Sequence, residues 1–131
     1  MEISPSILQF SPPFTQSSTQ KISLQNNSST PLAFKVKTTA PKLYCVRPNA
    51  STVNPGQQVE ISIILQGLKK EPSLDYKCKD KFLIISLPCP SDEINHDDLE
   101  GGVAKVWPKL ESQFKGQIVQ KKIRVHYNLS Q

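Results

Sequence analysis

The stretch Phe34-Lys35-Val36-Lys37-Thr38-Thr39-Ala40-Pro41, followed by Tyr44-Cys45-Val46-Arg47-Pro48-Asn49, decides how the rest of the chain reads. Apolar and polar residues alternate in it with a period of two, as in a half-buried strand. Phe34 and Val36 therefore face a core, and Lys35 and Lys37 stand side by side on the opposite, solvated face. Thr38 and Thr39 follow as hydrogen-bonding groups. Two ammonium groups beside two hydroxyls suit capture of an anion or an acidic peptide. Nothing in the stretch suggests a means of breaking a bond.

The same period recurs to either side. Ile22 and Leu24 alternate with Lys21, Ser23 and Gln25, and Asn26-Asn27-Ser28-Ser29 then marks a turn. Asn54-Pro55-Gly56 is a second sharp turn, after which Val59, Ile61, Ile63 and Leu65 alternate with Glu60, Ser62 and the less polar Ile64. Phe82 to Leu87 reads as an apolar strand with both faces at least partly covered, and Ile123, Val125 and Tyr127 alternate with Lys122, Arg124 and His126. Short strands with turns between them predict an all-β fold, an immunoglobulin-like antiparallel sandwich of about seven strands. One stretch departs from the period. Val103, Val106, Trp107, Leu110 and Phe114 fall at helical spacing, which predicts one short amphipathic helix lying across an end of the sandwich. Pro108 implies either a helix beginning near Trp107 or a kink. The acidic stretch from Asp92 to Glu100 and Gly101-Gly102 reads as a mobile loop.

With 131 residues the chain is expected to form one domain, residues 1–131, large enough to fold around its own core. Its 11 prolines fall mostly at element boundaries, as suits shaped loops between strands. Pro48 is expected to fix the loop that leaves the signature strand, and it is a candidate for a cis bond along with Pro88 and Pro90. The 3 cysteines, Cys45, Cys78 and Cys89, are an odd number without metal-ligand spacing, so reduced structural thiols are expected and no cofactor or metal. No signal peptide is visible, and no run approaches the ~18 apolar residues of a membrane span. Residues 21–47 carry Lys21, Lys35, Lys37, Lys42 and Arg47 without an acid, and residues 115–126 carry Lys115, Lys121, Lys122 and Arg124 without one. That asymmetry predicts a positive face that steers an acidic partner.

The signature stretch resembles the FKVKTTAP…YCVRPN block of the major sperm protein (MSP) domain in VAP-type receptors of the endoplasmic reticulum. The likeness extends through Glu2-Ile3-Ser4-Pro5, Pro55-Gly56, Asp80-Lys81-Phe82-Leu83, Val106-Trp107 and Lys122-Ile123-Arg124-Val125, in the family's order and with a fungal character. The resemblance implies a non-enzymatic receptor for FFAT motifs, acidic peptides of the form Glu-Phe-Phe-Asp-Ala-x-Glu preceded by an acidic tract. A phosphorylated variant of the motif should also be accepted. It implies a site at the cytosolic face of the endoplasmic reticulum, including contact sites with the plasma membrane. There the family recruits lipid-transfer and tethering proteins. The full-length receptor would carry a C-terminal membrane anchor, and a dimer is compatible with it.

Carried over by position, the peptide-binding residues are Lys37, Thr38, Thr39, Lys42, Lys81, Leu83 and Lys122. Parity agrees: Lys81 and Leu83 share one face of their strand, and Lys122 opposes Ile123 as Lys37 opposes Val36. An exposed apolar Leu83 ringed by lysines suits a phenylalanine carried between carboxylates. Animal relatives commonly have methionine at this position, so this pocket should be less adaptable. An alternative function is binding of anionic phosphoinositide headgroups through the same basic face, and a third is polymerisation like that of the nematode sperm proteins. Nucleic-acid binding is disfavoured because the basic strands lack interleaved exposed aromatics. Enzyme activity is disfavoured because paired carboxylates, a Ser-His arrangement and a phosphate-cradling glycine loop are all missing. On residue type alone the bland readings are stronger: Lys-Val-Lys as a solvated strand face, Trp107 as a core anchor, and His96 and His126 as structural or solvated.

Overall fold

In the computed structural model, residues 1–90 and 103–129 are described. The acidic stretch, His96 and Gly101-Gly102 lie outside them. Among the described residues nine strands form: β1 (Glu2–Ser4), β2 (Ile7–Phe10), β3 (Ser18–Gln25), β4 (Leu32–Thr38), β5 (Tyr44–Arg47), β6 (Ala50–Val53), β7 (Gln58–Leu65), β8 (Lys81–Pro88) and β9 (Val119–Tyr127). Helix α1 (Val103–Gln113) and a 3-10 turn (Lys115–Gln117) lie between β8 and β9. Two sheets pack face to face, one in the order β1-β3-β7-β5 and the other in the order β2-β9-β8-β4-β6.

The expectation of about seven strands and the nine observed differ for a physical reason. Two of the seven extended segments switch sheets part-way. The segment holding β1 and β2 does so at Pro5-Ser6, and the segment holding β5 and β6 does so at Pro48-Asn49. Proline has no N–H for a ladder, so each segment leaves one sheet there and joins the other. The Ser4–Pro5, Pro12–Pro13 and Arg47–Pro48 bonds are cis. Past Pro48, the Asn49 carbonyl accepts a hydrogen bond from Val36 N at 2.9 Å, which fastens the loop to β4. The pairing also departs from a purely antiparallel pattern: β2 runs parallel to β9, Ile7 opposite Arg124.

The alternating apolar residues meet between the sheets. Phe10, Ile22, Phe34, Ile61, Phe82 and Ile123 are fully buried there. The turn expected at 26–29 is organised by buried Asn26, whose Nδ2 donates to the carbonyls of Thr30 and Val53, both at 2.9 Å.

A second core lies elsewhere. Ala33, Ile85 and Leu87, on the outward face of β4 and β8, pack against Val103, Val106, Trp107 and Leu110 of α1. The helix thus covers the outer face of the five-stranded sheet, where an end of the sandwich was expected. The reason is in β8: its outward residues are themselves apolar and need a cover. Nor does α1 begin near Trp107. It starts at Val103 and runs through the exposed Pro108. The missing proline N–H costs a helix roughly 3 kcal/mol, which burial of four large side chains offsets at ~1.5–3 kcal/mol each.

Candidate functional site

Helix α1 stops short of the end of the sheet, and the site is what it leaves uncovered. Outward residues of β4, β8 and β9 form rows across the three strands. Lys35 lies opposite Ile85, and Ile85 opposite Gln120. One step towards the end of the sheet, Lys37 lies opposite Leu83, and Leu83 opposite Lys122. In the first row the helix covers Ile85, Lys35 Nζ lies over the Trp107 ring at 5.8 Å from its centroid, and Gln120 stays exposed; Trp107 Nε1 donates to Glu111 Oε2 at 2.8 Å. The second row is open. Leu83 packs at the margin of the outer core and stays partly exposed, with an exposed lysine on each side.

A cavity of about 360 Å³ sits on this row. Lys37, Thr38, Thr39, Lys81, Leu83 and Lys122 line it, which brings together six of the seven residues picked from the sequence. The seventh, Lys42, is exposed in the turn between β4 and β5 and lies off the cavity wall. Phe82, which sequence reasoning did not pick, completes the wall. Parity assigns it to the inner core, and no sequence signal marks it as touching the site. None of these cavity lysines is in an ion pair among the described residues.

The threonines hold the site's end in shape. Thr38 Oγ1 accepts from Ala40 N at 3.1 Å. Thr39 Oγ1 accepts from Lys81 N at 3.0 Å, and Thr39 N donates to the Lys81 carbonyl at 3.1 Å. With a lone pair of each oxygen engaged, each hydroxyl keeps its proton to donate, which suits an anionic or carbonyl acceptor.

The chain matches the MSP (Major sperm protein) domain family over residues 1–109. It is 51% identical over 131 residues to the vesicle-associated membrane protein-associated protein SCS2 of Saccharomyces cerevisiae, covering 99% of this chain and 51% of that protein. It is 39% identical over 132 residues to SCS22 of the same organism, covering 98% of this chain and 74% of that protein. This chain is an MSP domain of the VAP family. The family is non-enzymatic, and the chain spans about half the length of SCS2. Among solved structures, the MSP domain is similar to the Caenorhabditis elegans MSP family member WR4, with a TM-score of 0.66 and 17% identity over 96% of this chain and 95% of that one. It is also similar to SSP-19 of the same organism, with a TM-score of 0.65 and 15% identity over 97% of this chain and 98% of that one. These likenesses show the fold.

Two further depressions border the MSP domain's cavity. One of about 470 Å³ shares Lys37 and Thr38 with it and reaches Val46 and Asn49 at the open side of the sandwich. Another of about 530 Å³ shares Lys37 and reaches α1. His126 is exposed on β9. Among the described residues no helix is long and apolar enough to cross a membrane.

Proposed function

We propose that this MSP domain is a receptor for short acidic peptides carrying phenylalanines, the FFAT type, including phosphorylated forms. Acting at the cytosolic face of the endoplasmic reticulum, it would recruit lipid-transfer and tethering proteins to contact sites with the plasma membrane. The observation that carries this reading is the row Lys37–Leu83–Lys122, one half-exposed leucine between two ammonium groups, with Lys81 on the same rim. A phenylalanine ring resting on Leu83 and on the aliphatic stems of the lysines leaves its neighbouring carboxylates against the Nζ groups. Thr38 and Thr39 donate to the peptide backbone or its acidic groups. A phosphate in place of one carboxylate carries equal or greater charge and meets the same cations. Lys42 acts at a distance, through the field that guides encounter.

The competing reading is a phosphoinositide headgroup on the same lysines. Leu83 separates the two, because a ring needs an apolar floor and a headgroup does not. Leu83→Asp sets a carboxylate where the ring rests. Loss of that burial is worth ~1.5–3 kcal/mol and like-charge repulsion adds to it, so peptide affinity should fall by more than about tenfold with the fold intact. Lys37→Ala should weaken binding of peptide and of phosphoinositide alike, and Leu83→Ala of peptide only. Calorimetry with an acidic two-phenylalanine peptide, beside flotation with phosphoinositide liposomes, decides it. Unchanged peptide affinity in Leu83→Ala, together with lost liposome binding in Lys37→Ala, overturns the receptor reading in favour of the lipid one.

A further inference from the structure

The cavity of about 530 Å³ between α1 and the sheet has no part in the reading above. It lies in the corner where the helix stands on the outer sheet face. Ile85, Pro108 and Ile118 provide its apolar surface, and Ser112, Lys115 and Gln120 its polar rim. Lys37 lines both this corner and the peptide cavity, so the two depressions lie side by side. A chain lying across Leu83 therefore meets the corner next if it continues along the sheet towards the helix.

We infer that the corner is a second side-chain subsite, which takes an aliphatic residue from the acidic flank of the same peptide. The inference rests on the receptor reading and adds a specificity to it. Three charged groups line the corner and choose its occupant. Glu111 stands on the helix side with its carboxylate held by Trp107 Nε1 at 2.8 Å, and its charge opposes a carboxylate entering the pocket. Lys37 and Lys115 stand on the other walls and attract carboxylates to the rim. Aliphatic inside and acidic to either side is the pattern that satisfies all three. Ile118 and Pro108 are only partly covered by the fold, so a leucine-sized side chain has apolar surface to bury against.

The test uses calorimetry on the whole chain with synthetic peptides. The core is Glu-Phe-Phe-Asp-Ala-Ser-Glu, extended at either end by Asp-Leu-Asp-Glu or by the equally charged Asp-Ser-Asp-Glu. At one of the two ends the leucine extension should bind about fivefold more tightly than its serine counterpart. Ser112→Phe, on the exposed face of α1, fills the corner and should bring that ratio to one while leaving the affinity for the core peptide unchanged. Ile118→Ser should do the same by removing apolar wall. A ratio of one at both ends in the wild type overturns the subsite and leaves the receptor reading standing. A ratio that persists in both variants also overturns it, because the leucine is then seated elsewhere. Self-association lost in Ser112→Phe, with no leucine preference, makes the corner a contact between copies and overturns it as well. If the core peptide itself does not bind, the receptor reading fails and the subsite falls with it.

Discussion

Asp80, one residue before the site's Lys81, is held from below by two phenols. Tyr44 Oη donates to Asp80 Oδ2 at 2.6 Å, and the Tyr44 and Tyr127 hydroxyls are 2.9 Å apart. Above the same residue, Val125 N donates to the Asp80 carbonyl at 3.2 Å. Lys81 is therefore fixed at the start of β8 by contacts made through its neighbour. Burial above all, then the bond to Asp80, raises the Tyr44 phenol far above its ordinary range, and burial raises Tyr127 as well. Burial also pushes the nearby Cys78 thiol up to about 11. These groups stay protonated in the folded chain at a pH where the unfolded chain has begun to ionise. Their contribution to stability should thus be constant below about pH 9 and should fall as pH rises beyond it, since the unfolded state then binds fewer protons. Tyr127→Phe removes one such group, with its hydrogen bond to the Tyr44 hydroxyl and its longer one, at 3.5 Å, to Asp80 Oδ2. It should cost ~1 kcal/mol at neutral pH and make the alkaline fall shallower. Urea unfolding at several values from pH 7 to 11 measures both, and equal alkaline slopes in the two proteins would count against the buried phenol.

At the scale of elements, the relation between α1 and β8 makes the site. Ile85 and Leu87 are covered by the helix and Leu83, on the same face, is left at its margin. Trp107, 5% exposed, is the largest side chain in that cover, so Trp107→Ala should destabilise the fold by ~3–5 kcal/mol in urea titrations. A loss below about 1 kcal/mol would show that the outer face does not depend on the helix. Much of this was legible in the sequence. Parity along 34–38, 81–87 and 122–127 names the outward residues correctly because a strand allows only two directions for a side chain. The apolar run also implies that both faces of β8 are at least partly covered. What covers them was not legible, since a helical period gives the apolar face of a helix but not the surface it meets. The proline within α1 left the start of the helix open for a related reason, because local propensity does not include the tertiary burial that outweighs it. β1, β2, β5 and β6 have three or four residues each, too few to display a period, so the sheet switches at Pro5-Ser6 and Pro48-Asn49 emerged only in the structure.

Over the whole molecule, charge and shape answer to different distances. Lys37, Lys81 and Lys122 line the cavity, where the proposed peptide would touch them, whereas Lys42 stands clear of it in an exposed turn. In the sequence the four stand together because positional resemblance does not separate a residue that would touch a ligand from one that would attract it. Attraction between exposed charges is screened over ~8 Å at physiological ionic strength. On the receptor reading, Lys42 should therefore contribute while an acidic peptide approaches, and little once the ring has settled on Leu83. Lys42→Glu changes the local charge by two units without altering the cavity wall. Association should slow by about two- to tenfold at low salt and become less salt-dependent, with dissociation nearly unchanged. Lys37→Ala, on the wall, should instead speed dissociation. Stopped-flow rates for one acidic two-phenylalanine peptide at low and high salt separate these outcomes. If Lys42→Glu acts on dissociation alone, Lys42 touches the bound peptide, and the binding surface extends around the turn beyond the cavity.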